Sequence, residues 1–289
     1  MSDSLPVVVL GSLNLDLVTR VTNHPEPGET VLGHDLRLLP GGKGANQALA
    51  AARAGAQVRL VGRIGSDPDG ARYRAGLAER GVDVSSVAVT PDTPTGRALI
   101  CVADSGENTI VVVGGANDAV RQSDLPIFDG PVVLVAQFEL AMDVVEAAAT
   151  RVSATGGRVV LNPSPAADVS PQLLGLADPL VVNEHEAAQL AQGSSPFPPH
   201  RARALLDRGA RSVVMTLGGK GALVVDPSGT TTIPAPVLEA IDTTGAGDVF
   251  AGTLAARLAH AVPLVDAARA AVQAASQATR WRGAQDWEL

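Results

Sequence analysis

The sequence predicts an α/β fold: a mostly parallel central sheet covered by helices on both faces, with a small β lid at one end. Three observations carry this reading. Short β-branched runs alternate with alanine-rich stretches of helical length, the rhythm of strand–helix–strand units. The strand runs are apolar throughout, as required when helices cover both faces of a sheet. Two segments, 16–39 and 96–113, hold strand-like runs with no convincing helix between them, so each leaves the α/β body and re-enters it.

Taken in chain order, the valine-rich run 7–11 is the first strand, and the alanine-rich stretch 44–53 is the first helix after the first excursion. Strand 58–61 and helix 68–79 follow, and then the second excursion. The body resumes with strand 132–135, helix 142–154, strand 159–161, strand 180–182, helix 184–191, helix 200–208 and strand 212–217. Two alanine-rich helices, 246–259 and 264–279, close the chain. The expected organisation is a single domain over 1–289, with a lid formed by about 14–40 and 96–113.

Composition narrows the function. The 289 residues are 46% hydrophobic, 18% charged and 2% aromatic, which excludes a disordered chain and leaves few aromatic platforms for stacking bases. A formal net charge of −8 has the wrong sign for neutralising nucleic-acid phosphates or coating an anionic membrane. The expected partner is a small molecule. No uncharged apolar run approaches the ~20 residues that span a bilayer, and residues 1–6 lack the basic start of a signal peptide, so a cytoplasmic protein is expected. A single cysteine permits no intrachain disulfide, and Cys101, in the apolar run 98–102, reads as a small core residue. The five histidines show no metal spacing and read as structural.

Familiar nucleotide motifs fail. Gly42-Lys43 and Gly219-Lys220 lack the upstream glycine and following Ser/Thr of a P-loop, and the glycines near 245 do not form a dinucleotide fingerprint. What remains is Asp242-Thr-Thr-Gly-Ala-Gly-Asp248, a glycine-rich turn feeding a helix with a carboxylate in its first turn. Unpaired N–H groups and the helix dipole at such a turn hold a phosphate, and Asp248 beside it can orient and deprotonate an attacking hydroxyl. An acidic residue complementing a helix dipole at an ordinary turn is the plainer alternative. Near the other end, Asn14 and Asp16 share one face of an extended chain, which suits either a sugar diol or an Asx turn. In Pro40-Gly-Gly42-Lys43-Gly44-Ala-Asn46-Gln47, Lys43 and Asn46 lie about one turn apart at a helix start, an approach site for a ligand or a turn with a solvated charge.

Together with Pro-Gly-Glu-Thr at 27–30, these motifs resemble the phosphofructokinase-B family of carbohydrate kinases, and within it the ribokinases; the likeness runs from Val8 to Gln285 in family order. The resemblance implies a three-layer αβα sandwich of ribokinase-like type and ATP-dependent phosphorylation of D-ribose at O5. A kinase for 2-deoxyribose or a nucleoside, or a non-catalytic sugar-binding regulator, are the alternatives.

Residue by residue, the resemblance makes Asp248 the catalytic base and Gly245, Ala246 and Gly247 the anion hole. It assigns the sugar to Asn14, Asp16, Gly42, Lys43, Asn46 and Glu139, with Ala98, Ile100 and Ile110 as an apolar wall from the lid. Glu139 follows from the resemblance alone; without it, Glu139 reads as a cap of the helix after Phe138. Asn183 and Glu186 match an element that positions magnesium and phosphates largely through water; unaided they read as an acidic helix N-terminus. Thr216, Leu217, Gly218, Gly219, Lys220 and Gly221 match the nucleotide-binding turn, or read as a hairpin turn. A potassium-type monovalent cation is implied at Asp242, Thr244, Ala278, Trp281 and Gly283. Trp281 replaces a commonly basic residue and Trp287 a serine, and the chain ends soon after it, short of the family's usual terminal helix. Val272 stands where a relative has a polar ring against adenine, which implies a more apolar pocket. The resemblance also implies a homodimer paired through the lid.

Overall fold

The structure is a computed structural model, and it describes residues 4–191 and 195–285. Trp287 lies outside the described residues. The chain runs through β1 (Val7–Leu10), β2 (Asn14–Val21), β3 (Leu36–Gly41), α1 (Lys43–Arg53), β4 (Val58–Gly65), α2 (Pro68–Glu79), β5 (Val82–Thr90), β6 (Gly96–Ala103) and β7 (Asn108–Val113). It continues with β8 (Val133–Ala136), α3 (Met142–Ala154), β9 (Arg158–Leu161), α4 (Pro171–Leu176), β10 (Ala177–Asn183), α5 (Glu184–Leu190) and α6 (Pro198–Asp207). The last elements are β11 (Val213–Thr216), β12 (Ala222–Asp226), β13 (Gly229–Ile233), α7 (Ala246–Ala259) and α8 (Leu264–Ala278).

Nine strands form the central sheet in the order β13-β12-β11-β10-β9-β8-β1-β4-β5. Pairing is parallel from β11 to β5, and only β12 and β13 run antiparallel to their neighbours. Successive side chains of a strand point to opposite faces, and here both faces are core. Val8 and Leu10 pack with Leu134, Leu161 and the helices α3 to α6, whereas Val7 and Val9 pack with Val133, Val135 and the helices α1, α2, α7 and α8. That is why β1 is apolar at every position and buried throughout. The result is the expected three-layer sandwich.

The predicted helices 68–79, 142–154 and 246–259 match the observed ones to the residue. Pro68 at the first position and the Asp67 side chain, which accepts a hydrogen bond from the Gly70 N–H at 2.9 Å, start α2. Four elements were not expected. Helix α4, started by Ser170 and Pro171, is too short to show a helical period, and β5, an edge strand, alternates polar and apolar residues. Strands β12 and β13 hide behind a glycine-rich turn. Helix α6 begins at Pro198 rather than 200, because two prolines can occupy a first helical turn, where no N–H partner is required.

The two excursions form one four-stranded sheet of order β3-β2-β6-β7. Its register sets two unlike faces. Leu17 pairs with Leu38 and Leu99, and Leu99 with Val111, so one face is apolar and open to solvent. Asp16 and Val18 point to the other face together with Ile100 and Ile110. Cys101, expected in the core, is instead half-buried in this small sheet opposite Thr109, because the apolar run 98–102 belongs to β6. Among the described residues, no helix is long and apolar enough to cross a membrane.

Candidate active site

Gly245, the residue before helix α7, is in the left-handed region, φ +75°, and no side chain caps the helix. A side chain there would bring its Cβ within 2.6 Å of the Ala284 Cβ, so the turn requires glycine twice over. The Ala246 N–H closes the turn onto the Thr243 carbonyl at 3.2 Å. Gly247 faces open space. A helix start of this kind leaves N–H donors directed outward with the positive end of the dipole behind them.

Asp248, in the first turn and 7% exposed, accepts from Asn46 Nδ2 at 2.9 Å on one oxygen and from Gln47 Nε2 at 3.0 Å on the other. The two motifs at opposite ends of the chain therefore meet in one site. Gly42 enters α1 with φ +88°, and an added Cβ would lie 2.6 Å from the Asn14 nitrogen. This close approach sets the start of α1 against the end of the loop from β1. Asn14 is buried, and its Oδ1 accepts from Asn117 Nδ2 at 2.8 Å; Asn117 also clamps the Leu13 backbone through both its N–H and its carbonyl.

Glu139 does not cap the following helix. Ala141 occupies the cap position of α3 with no side-chain bond, while the Glu139 carboxylate accepts from the Ser12 hydroxyl and, at 3.3 Å, from the Lys43 N–H. Burial, the charge of Glu139 and the charge of Asp248 together push Asp16 up to about 6. Burial alone would lower Lys43, but Asp248, Glu139 and Glu186 outweigh it and hold the ammonium above its ordinary value. Lys43 is thus a cation set among three carboxylates. A cavity of about 350 Å³ opens between the small sheet and the Asp242 loop, lined by Asp16, Ile100, Ile110, Asp242 and Thr244 among others. Ala98 does not line it and is buried beside Asp16 in the sheet.

Asn183 and Glu186 cap α5 reciprocally: the Glu186 N–H donates to Asn183 Oδ1 at 2.8 Å and the Asn183 N–H to Glu186 Oε2 at 2.9 Å. The plain helix-terminus reading is therefore correct as structure. Glu186 is nonetheless close enough to act on Lys43, and among the described residues its Oε1 has no protein donor. Thr216, Gly218, Gly219 and Gly221 form the β11–β12 hairpin turn and also line a cavity of about 240 Å³ with Phe250, Val272 and Ala275. Leu217 closes the turn through its N–H to the Gly221 carbonyl at 2.8 Å, and Lys220 is exposed; neither lines the cavity. Val272 does give the pocket an apolar wall.

The Asp242 loop meets the C-terminal loop. Asp242 accepts from the N–H groups of Thr244 and Gly283, each at 2.9 Å, and the Trp281 N–H donates to the Ala278 carbonyl at 3.2 Å. Burial opposes the charge on Asp242, but the hydrogen bonds from Thr244 and Gly283 prevail and keep it below the usual carboxylate range. No cluster of three or more His, Cys, Asp or Glu able to hold a metal occurs among the described residues. Of the amides that hold the site, the sequence places Gln47 in the 40–47 motif without a role, and it gives no site role to Gln137, Asn162 or Gln285, whose partners lie far along the chain.

Residues 5–288 match the pfkB family of carbohydrate kinases. The chain belongs to this family. It is 38% identical over 289 residues to the ribokinase of Haemophilus influenzae, covering 96% of this chain and 94% of that relative. The crystal structure of ribokinase from Thermotoga maritima superposes with a TM-score of 0.88 at 30% identity, covering 97% of this chain and 95% of that one. Ribokinase of Arabidopsis thaliana complexed with ribose and ATP superposes with a TM-score of 0.85 at 28% identity over 97% of this chain and 94% of that one. As a pfkB carbohydrate kinase, the chain is a sugar kinase, and its two cavities flank the Asp248 turn from the small-sheet side and the β11–β12 side.

Proposed function

We propose that this kinase transfers the γ-phosphoryl group of ATP to O5 of D-ribose, giving ribose 5-phosphate and ADP. The observation that carries the reading is the contact of Asn46 with Asp248 at 2.9 Å, which joins a polar, carboxylate-rich pocket to a helix start built for phosphate. The relatives named ribokinase, one of them holding ribose and ATP, support this acceptor. Asp16, with Asn14 and Asn46 beside it, supplies acceptors and donors for neighbouring hydroxyls, while Lys43 and Glu139 complete the sugar pocket. Asp248 takes the proton of the O5 hydroxyl as the O5–phosphorus bond forms and the bond to the β-phosphate oxygen breaks. The N–H groups of the Gly245, Ala246 and Gly247 turn stabilise the charge spreading over the phosphoryl group.

The nucleotide occupies the apolar cavity beside Val272 and Phe250. Glu186, whose Oε1 has no protein donor among the described residues, fits a magnesium ion bound mainly by waters and phosphates, since Mg²⁺ keeps several waters and needs few protein ligands. The ion, when bound, neutralises phosphate charge. Asp242, Thr244, Ala278, Trp281 and Gly283 would hold a potassium-sized cation, and the result expected for that site is a higher melting temperature in KCl than in NaCl. The small sheet acts as a lid whose closure excludes water from the transfer. Its open apolar face, with Leu38, Leu99 and Val111 exposed, supports a homodimer through the lid. The acidic net charge supports an enzyme without nucleic-acid or membrane-surface partners.

A coupled ADP-release assay with MgATP against D-ribose, 2-deoxyribose, fructose and adenosine tests the reading. The expected result is the highest kcat/KM for ribose. A clear preference for another acceptor, or no turnover with any, overturns it.

A further inference from the structure

Asp248 is the end point of two chains of hydrogen bonds, each anchored on a backbone carbonyl. A backbone carbonyl can only accept, so it fixes the direction of every bond beyond it. In the first chain Asn162 Nδ2 donates to the Val181 carbonyl at 3.0 Å, which leaves Asn162 Oδ1 to accept from Gln47 Nε2 at 3.1 Å. The second hydrogen of that same Gln47 nitrogen points to Asp248 Oδ1 at 3.0 Å. Gln47 Oε1 is in turn filled by Gln137 Nε2 at 2.6 Å. In the second chain Tyr73 donates its hydroxyl to the Gly41 carbonyl at 2.6 Å and accepts from Gln285 Nε2 at 2.5 Å. Gln285 Nε2 also reaches Asn46 Oδ1 at 2.8 Å, so Asn46 can offer only its N–H to Asp248.

We infer that Gln47 and Asn162 are positioning residues for the reaction: anchored on Val181, they keep an N–H donor on one Asp248 oxygen and hold the carboxylate plane toward the acceptor hydroxyl. Gln47 is buried with no exposed surface, and an apolar side chain would fill its place in a core. A buried amide with both ends engaged is costly to place unless its polarity is used. Because Gln47 can only donate toward Asp248, it holds that oxygen as an acceptor and fixes which way the carboxylate faces. Asn46 belongs to the sugar pocket, whereas Gln47 and Asn162 act on the reaction only through Asp248.

The charged and titratable groups facing Asp248 are Asp16 from β2, Lys43 at the start of α1 and Tyr73 from α2, with Glu139 and Glu186 acting on Lys43. None of them is removed by the variants below. The inference rests on Asp248 as the base, and Asp248→Asn tests that separately: a dead Asp248→Asn beside normal Gln47 variants defeats this inference alone.

The experiment measures kcat, KM for the acceptor sugar and the pH profile of kcat for Gln47→Met, Gln47→Glu and Asn162→Ala. Gln47→Met is expected to lower kcat by about 10- to 100-fold with KM within threefold. In Gln47→Glu a second carboxylate faces Asp248, and two carboxylates in contact cannot both ionise, so the acidic limb of the profile moves up by about one pH unit or more. Asn162→Ala, which does not touch Asp248, lowers kcat less, and the double variant Gln47→Met/Asn162→Ala is no worse than Gln47→Met, because both act in one chain. A purely structural role would lower the melting temperature and leave the pH profile in place. An unmoved acidic limb, a change in KM alone, or additive losses in the double variant overturns the proposal.

Discussion

Asn46 and Asp248 lie 202 residues apart in sequence and 2.9 Å apart in space. The contact exists because α1 and α7 pack against each other on small residues: an added Cβ at Gly252 would stand 2.3 Å from the Gln47 carbonyl. The sugar-side helix and the phosphate-side helix are therefore one rigid pair, and the distance between hydroxyl acceptor and phosphoryl turn is set by their packing.

Widening that pair is expected to damage chemistry and stability together. Gly252→Val forces α1 away from α7 and is expected to cost about 1–3 kcal/mol of stability. It should also lower kcat by about 10-fold or more through the separation of Asn46 from Asp248. Denaturant unfolding and steady-state kinetics of the variant check both effects; full activity would show that the helix spacing does not matter.

Asp16 carries a pH signature. Its pKa rises from 3.8 to about 6 in the folded protein, so the native state binds more protons than the unfolded chain between those values and stability falls as pH rises through them. A shift of this size corresponds to about 2–3 kcal/mol. Asp16→Asn removes the ionisation, so the variant is expected to be more stable than the parent at pH 7 and equal to it near pH 4, while losing sugar affinity. Melting curves of both proteins across this range check the sign.

The open face of the small sheet makes a third prediction. Leu38, 45% exposed, and Val111, 54% exposed, point away from the site. Leu38→Glu and Val111→Glu are expected to convert the proposed dimer to a monomer in sedimentation velocity, with the folded monomer's stability changed by no more than about 0.5 kcal/mol. A dimer that persists in both variants would remove the lid from the interface.

The parts of this fold legible from sequence were those with an uninterrupted local signal. Val7 to Leu10 declared a doubly covered strand by being apolar at every position, and α7 declared its start through the glycines before Asp248. Strands β12 and β13 were concealed because Gly218 to Gly221 reads equally as a hairpin turn and as a nucleotide turn, and it is the former in structure whatever it binds. In the site, Asp248, Lys43 and Asn46 came from motifs. Glu139 came only through the resemblance, since its partners Ser12 and Lys43 are distant in sequence. Gln137, Asn162 and Gln285 left no local trace: each is defined by a bond to a residue far along the chain, which only the tertiary structure supplies.

The central claim, that Asp248 is the base of a sugar kinase, is tested most directly by Asp248→Asn. Asn46 and Gln47 each donate to one Asp248 oxygen, so a replacement amide of the same size keeps its Oδ1 on one donor, sets its NH2 against the other, and cannot take a proton. Turnover of D-ribose with MgATP is measured beside the sugar Kd by calorimetry. The account predicts a fall in kcat of about 10²- to 10⁴-fold, with the Kd for ribose within a few-fold of the parent. A kcat within tenfold of the parent would contradict it.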